Sequence, residues 1–244
     1  MNQGVLIFLA ALTLFVIVQG LIIKFNGEHV AVLNIPRNVQ IVGAGPELSY
    51  AVMGDSTGVS QGSKYDEGFA FASTRQLGES FSVRAINTAI SGATSADVRR
   101  DQLDTVAKFK PDIVLLAMGA NDATHLLRAK TIRLSTQAII DELRRVNPEV
   151  QIITTGSPAM DSVTRFPDGA KQVMGLRTAQ VNAVYEELIK KNNLIHAPIA
   201  EGTRDAFIAD PTLTAADNFH PNARGYALWI PIINQAIDKA VERR

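Results

Sequence analysis

Hydrophobic and polar positions along this chain repeat with two different periods, and the changes from one to the other lay out its elements. Short apolar runs read as strands: "SYAVM" (49–53), "FSVRAINTAI" (81–90), "DIVLLAM" (112–118), "VQIITT" (150–155) and "LIHAPI" (194–199). Between and after them, apolar residues at helical spacing predict helices over 68–77, 95–109, 131–146, 175–191 and 222–242. Gly78 stops the first of these, and Ser95, with Asp97 in the following turn, reads as the cap that starts the second. Pro231 either kinks the last helix or occupies a place where a solvent-side bond can be lost. "DIVLLAM" is too uniformly apolar for a one-sided strand, so it is expected at the centre of the sheet with both faces covered. Strands alternating with helices predict an α/β fold, a parallel sheet with helices on both sides.

One segment fits neither period. Val5 to Ile23, "VLIFLAALTLFVIVQGLII", runs nineteen residues without a charge and stops at Lys24, which is long enough to cross a bilayer as a helix. A cleaved signal peptide would want a basic start and a small-x-small cleavage site, and "MNQG" and "IVQGLII" supply neither. A buried core helix would want an amphipathic stripe. A retained transmembrane anchor over residues 1–25 is therefore expected. Residues 26–47 mix β-branched runs with Pro36, Gly43, Gly45 and Pro46 and read as a linker with room for one strand or hairpin. The folded domain is expected over 48–244. Lys24 and Arg37 follow the apolar run and no basic side chain precedes it, which by charge alone favours a cytoplasmic domain.

Composition narrows the function. The 24 basic and 24 acidic residues cancel, and no basic stripe interleaves with aromatics, so no nucleic-acid partner is expected. The absence of cysteine removes disulfides, thiolate metal sites and a cysteine nucleophile.

In an open parallel sheet, ligands bind beyond the carboxyl ends of the strands. Three polar stretches fall there: "GDS" after Met53, "SGAT" after Ile90 and "GAND" after Met118. Acyl transfer needs a nucleophile, a base, a group that orients the base, and donors for a developing oxyanion. Ser56, on a turn opened by Gly54 and followed by Gly58, is the candidate nucleophile. His220 in "DNFHPN" is the candidate base, with Asp217 three residues earlier to orient it. The backbone N–H groups of Ser56 and Gly92 and the side-chain amide of Asn121 are the candidate donors. Singly, each has an ordinary explanation as a turn or cap residue. Jointly they supply every function the chemistry requires. A metallophosphoesterase would want a D-x-H ligand pair, which the chain lacks. An inactive binding module on the same fold would be expected to have lost one of these residues.

In order and spacing, "MGDSTG", "NTAISGATS", "GAND" and "DNFHPN" resemble the GDSL esterase and lipase family, also called SGNH hydrolases, over residues 48–240. "AINTAISGATSADV" and "DIVLLAMGAND" look most like its bacterial lysophospholipase and thioesterase branch. Thr57 stands where the family name has leucine. The resemblance implies a flavodoxin-like three-layer α/β/α sandwich on a five-stranded parallel sheet of order 2-1-3-4-5. It implies an oxyanion hole at Ser56, Gly92 and Asn121, no cofactor, and a serine esterase acting on carboxylic esters of short to medium acyl chains, thioesters or lysophospholipids. A carbohydrate O-acetyl esterase is the alternative. Family habit puts such a domain outside the cytoplasm. Asp55 is expected to brace the serine turn and Asp122 to cap the segment after it. His125 is expected at the mouth of the site or in a solvated loop, and Lys64, Tyr65 and Asp66 are candidates for one wall. The loop 157–172 is polar apart from Phe166 and Met160, so a long apolar tunnel is not expected.

Overall fold

The structure is a computed structural model that describes residues 2–244. In chain order its elements are α1 (Gln3–Phe25), β1 (Asn38–Ile41), β2 (Glu47–Gly54), α2 (Phe69–Gly78), β3 (Ser82–Asn87), α3 (Ser95–Asp101), α4 (Leu103–Phe109), β4 (Ile113–Ala117), α5 (Ala120–Thr124), α6 (Ala129–Val146), β5 (Gln151–Thr154), α7 (Asp168–Asn192), β6 (Ile195–His196), α8 (Ile199–Ala209) and α9 (Ala223–Glu242). Three short 3-10 turns lie at 65–67, 160–162 and 211–213.

The sheet runs β1-β3-β2-β4-β5-β6. From β3 onward every pair is parallel, so the parallel strands follow the expected 2-1-3-4-5 order. The sheet is six-stranded and mixed rather than five-stranded and parallel. Its extra strand, β1, comes from the segment read as linker and pairs antiparallel with β3, Asn38 opposite Ile86 and Ile41 opposite Val83. Only its alternate residues Val39 and Ile41 are partly buried against the core, which is enough to hold an edge strand but gives a weak hydrophobic signal. The same segment carries buried Ile35, packed with Val59 and Ala89, and Arg37, whose Nη1 donates to the carbonyls of Asn87 and Ala89.

The strands are covered on both faces, which is why they read as continuous apolar runs. Ala51, Met53, Val114 and Leu116 face α3, α4, α6 and α7. Their neighbours Tyr50, Val52, Ile113 and Leu115 face α2, α8 and α9. Successive side chains of one strand thus enter opposite cores.

Several helix boundaries differ from the expected ones for local reasons. The helix expected over 95–109 is interrupted at Gln102, whose buried side chain turns back to β2: Oε1 accepts from the Gly54 N–H at 2.9 Å and Nε2 donates to the Gly54 carbonyl at 2.8 Å. Thr94, not Ser95, caps α3, in a reciprocal box with Asp97. The run 194–199 pairs over only two residues because Pro198 ends the strand and opens α8, which the periodicity did not suggest. Pro231 sits on the exposed side of α9 and the helix continues through it, the second of its two expected placements.

α1 is apolar on all sides, with a mean hydropathy of 2.8 over Gly4–Phe25, and is long enough to cross a membrane. Its C-terminal end is fastened to the domain. Arg165 Nε donates to the carbonyl of Ile23, Asn26 Nδ2 donates to the carbonyls of Thr164 and Arg165, and the Glu28 N–H donates to Ala216. Gly27 takes φ +109° directly against the backbone of Asp217, where a Cβ would collide with its carbonyl.

Gln102→Leu should destabilise the domain by about 2 kcal/mol, because it removes the acceptor of a buried backbone N–H while keeping the side chain's bulk. A denaturation midpoint equal to that of the unsubstituted chain would show that Gly54 is held without it.

Candidate active site

The strand β2 stops at Gly54 with φ +150°, a conformation and a closeness to the Ala117 carbonyl that leave no room for a Cβ. The chain then turns. The Asp55 N–H donates to Ala117 O at 3.0 Å, Gly58 N–H to Asp55 O at 3.1 Å, and Gln61 N–H to Ser56 O at 3.0 Å, so Ser56 is held on a tight loop past the strand end. Asn87, at the end of β3, clasps this loop by donating to Gly58 O at 2.8 Å and accepting from the Ala89 N–H.

The carboxylate of Asp55 is fully buried beneath the turn. Its Oδ1 accepts from both the N–H and the hydroxyl of Thr57, at 3.0 and 2.9 Å. Burial dominates, and the Thr57 bonds offset it only in part, so the carboxyl is pushed up to about 6. Thr57 supplies a hydroxyl donor that leucine at this position would not.

The second half of the site is a loop between α8 and α9 that is braced on itself. Ala215 N–H bonds His220 O, Asn218 N–H bonds Ala215 O, and Thr214 bridges Pro221. Asn222 caps α9 immediately after it. Within the loop, Asp217 Oδ1 accepts the backbone N–H groups of Phe219 and His220, each at 3.0 Å, and Oδ2 lies 2.5 Å from His220 Nδ1. Burial works against ionisation of Asp217, but the bonds from the His220 ring, its backbone and the Phe219 N–H outweigh it and hold the carboxyl below the usual range. With Nδ1–H directed at a carboxylate, Nε2 is left to accept. Ser56 Oγ stands 2.9 Å from it.

Gly92 lies in a turn after β3 with open space where a side chain would be. Asn121, in the first turn of α5, donates from Nδ2 to the Ala93 carbonyl at 3.1 Å, which leaves one of its two amide hydrogens. Among the described residues, the Ser56 and Gly92 N–H groups have no hydrogen-bond partner. Ser56, Gly92, Asn121 and His220 line one cleft of about 650 Å³. Asp217 stands behind His220. The three strand-end stretches and the distant loop therefore meet at β2, where the chain leaves to β3 on one side and to β4 on the other.

Around these residues the structure adds walls that the sequence did not mark. Phe219 sets its ring edge-on to His220, centroids 4.9 Å apart, and meets Phe166 at 6.2 Å. Gln61 accepts from Ser91 Oγ at 2.7 Å on the polar side. Ile23, Lys24 and Gly20 of α1 and Met174 of α7 close the apolar side, while Met160 is buried in the core. His125 does line the mouth and is exposed. Lys64, Tyr65 and Asp66 do not line the cleft: Tyr65 packs edge-on against Phe71, and Asp66 borders a separate groove with Phe71 and Arg75. The loop that follows Ser56 carries them away from its hydroxyl. The Asp122 side chain does not cap the segment after itself: it accepts the N–H and hydroxyl of Ser95 at the start of α3 and the hydroxyl of Tyr185.

The model of the GDSL-like lipase/acylhydrolase family matches residues 52–228, a span that holds every one of the candidate residues. The chain belongs to that family. A GDSL-like esterase of Mycobacterium tuberculosis is 28% identical over 205 residues, which are 81% of this chain and 64% of that protein, so the chain spans less than two thirds of that relative's length. Among solved structures, TesA superposes with a TM-score of 0.65 at 18% identity, covering 79% of this chain and 99% of its own. A mutant of Axe2, an acetyl-xylooligosaccharide esterase from Geobacillus, gives 0.64 at 16%, covering 81% and 96%. At such identities the superpositions speak for the SGNH-type α/β fold.

The buried carboxyl under the turn has a consequence for stability. Because Asp55 is raised in the folded state, its contribution is complete below the ordinary carboxylate value and is lost as pH rises through about 6. Asp55→Asn removes that titration and keeps an oxygen acceptor for Thr57. The stability of the variant minus that of the unsubstituted chain should therefore rise by about 2 kcal/mol between pH 4 and 7 and level off above. Paired urea titrations across that range read it, and a difference independent of pH would refute it.

Proposed function

We propose that this GDSL-family hydrolase cleaves carboxylic esters of short to medium acyl chains through a Ser56–His220–Asp217 triad and an acyl-enzyme. The relay of contacts is what supports the reading: Ser56 Oγ at 2.9 Å from His220 Nε2, and Asp217 Oδ2 at 2.5 Å from the opposite ring nitrogen. Ser56 Oγ attacks the ester carbonyl as His220 Nε2 takes its proton. Negative charge forms on the carbonyl oxygen, and the N–H groups of Ser56 and Gly92 with the spare amide hydrogen of Asn121 receive it. The tetrahedral species collapses, the C–O bond to the alcohol breaks, and His220 returns the proton to the leaving oxygen. Water then repeats the sequence on the acyl-Ser56 ester, releasing the acid and restoring the serine. Asp217, ionised through the cycle, holds the imidazole by Nδ1 and balances the imidazolium.

The apolar side of the cleft, Ile23, Phe166, Met174 and Phe219, suits an acyl chain. Each methylene buried there contributes about 0.8 kcal/mol, so chain-length preference should be graded. Hydrolysis of O-acetyl sugars is the second reading, favoured by the polar side at Gln61, Ser91 and Thr124 and by what the Geobacillus neighbour acts on. The bonds that fasten Asn26 and the Ile23 carbonyl to the domain support α1 as a retained anchor, and family habit puts the domain outside the cytoplasm.

A fluorophosphonate probe should label Ser56, and Ser56→Ala should abolish the label; a label that persists in the variant sinks the assignment. Asn121→Ala should lower kcat by on the order of a hundredfold, about 3 kcal/mol, with KM nearly unchanged. An effect confined to KM would make Asn121 a substrate contact only. A panel of p-nitrophenyl esters from acetyl to palmitoyl, beside an acetylated xylo-oligosaccharide, separates the two substrate readings. Strict preference for the sugar would refute the acyl-chain reading and leave the triad standing.

A further inference from the structure

The apolar helix and the catalytic loop are joined with no slack. Phe25 is the last residue of α1, and Asn26 already accepts, through Oδ1, from Asn218 Nδ2 at 3.0 Å, while Gly27 lies on the backbone of Asp217. Whatever depth α1 takes in a bilayer, the loop carrying Asp217 and His220 is therefore fixed within a residue or two of the helix end. The contact continues up the helix. Gly20, Ile23 and Lys24 line the cleft, and Phe15 abuts Gly169 at the start of α7. Ten residues of helix are about 15 Å, so the start of α7 lies alongside the membrane-crossing length of α1 and not beyond its end.

The apolar side chains on that part of the domain match such a placement, and the charged ones at the start of α7, Asp168 and Lys171, pair with one another at 3.5 Å. On α7, Val173 and Leu176 share the helical face of Gly169 and are 52% and 69% exposed; Leu126, beside His125 at the cleft mouth, is 59% exposed. The two elements are tied together, Arg177 donating to the Leu127 carbonyl at 2.8 Å. Exposed apolar side chains scattered singly need no explanation, but these border the catalytic cleft on the side where α1 leaves it. The cations are where a membrane surface would want them: Lys24 lies over the Phe25 ring, and Arg165 donates to the last turn of α1.

We propose that the catalytic cleft opens onto the bilayer, with α1 as one wall and Leu126, Val173 and Leu176 as a rim immersed in lipid, and that the esterase takes an ester carried by a membrane-resident amphiphile. The proposal rests on the reading of α1 as a retained anchor and, for its substrate half, on the esterase reading above. The ester of such a molecule lies at the level of the headgroups, which is the level at which the anchor holds Ser56 and His220. A soluble acetyl ester reaches the same serine from water and needs no rim.

The chain has no cysteine, so single spin labels can be placed in it, α1 included, without removing any. Labels at Leu176→Cys and Leu126→Cys, in vesicles of phosphatidylcholine with phosphatidylglycerol, should be relaxed by oxygen more than by a water-soluble nickel chelate, as at Leu9→Cys within α1. Leu228→Cys on α9 should show the reverse. Rim labels as open to nickel as Leu228→Cys, with Leu9→Cys immersed, overturn the proposal. So do rim labels closed to both reagents and broadened by one another, which would put a second copy on this face. In the same vesicles, the double variant Val173→Glu, Leu176→Glu should lower turnover of a resident lysophosphatidylcholine relative to p-nitrophenyl acetate at least tenfold. An unchanged ratio overturns the substrate half. Failure of the unsubstituted chain to turn over either probe overturns the esterase reading instead, and the label depths still decide the rim.

Discussion

The site depends on how β2 ends. Gly54 is pressed against the Ala117 carbonyl of the neighbouring strand and held from the other side by both polar atoms of Gln102. No other residue type tolerates that backbone angle and that approach together. The strand cannot continue, so the chain turns, and the residue two places on is lifted clear of the sheet. Asp55 then fixes the turn from below at a cost: a fully buried carboxyl whose ionisation is resisted by burial and only partly supported by Thr57. Strain and an awkward buried carboxyl sit side by side at the point where a hydroxyl is presented to the cleft, and the doubly covered sheet around them absorbs both.

The 214–221 loop solves the complementary problem. A histidine must hold its ring at a set distance from a serine 164 residues away in sequence, on a segment that is neither helix nor strand. Asp217 does three things there with two oxygens: it closes the loop through two backbone N–H groups and orients the ring through Nδ1. Preorganisation here comes from one short turn that cannot relax without giving up its own hydrogen bonds. Phe219, wedged between the ring of His220 and Phe166, limits how far the imidazole can swing.

The alternation of strands and helices and the meeting of the strand-end stretches at one cleft were legible in the sequence, because polar residues that break an apolar run in an open parallel sheet come out at the strands' carboxyl ends; the strand order came from the family resemblance. Ser56, Gly92, Asn121, Asp217 and His220 each follow such a break or stand in a polar loop. What was not legible acts across long separations. Gln102 looks like any polar helix residue between charged neighbours, and only the folded chain brings it to Gly54. The apolar wall is assembled from Ile23, Phe166, Met174 and Phe219, four places whose local patterns say helix or loop and nothing about a shared cavity. Lys64, Tyr65 and Asp66 were misread for the opposite reason: nearness in sequence to Ser56 did not survive the turn. β1 was legible only as room for one strand in the linker, and α8 escaped, because four residues with two half-buried side chains, and a helix entered through a proline, leave little periodic signal.

The two ends of the sheet are short. β1 has four residues, with Asn38 and Gln40 turned outward, and β6 has two. A strand of another chain seeking to extend this sheet finds almost no ladder of unpaired backbone to copy. Wherever copies of this protein are crowded together, blunted edges keep close encounters from becoming aggregation.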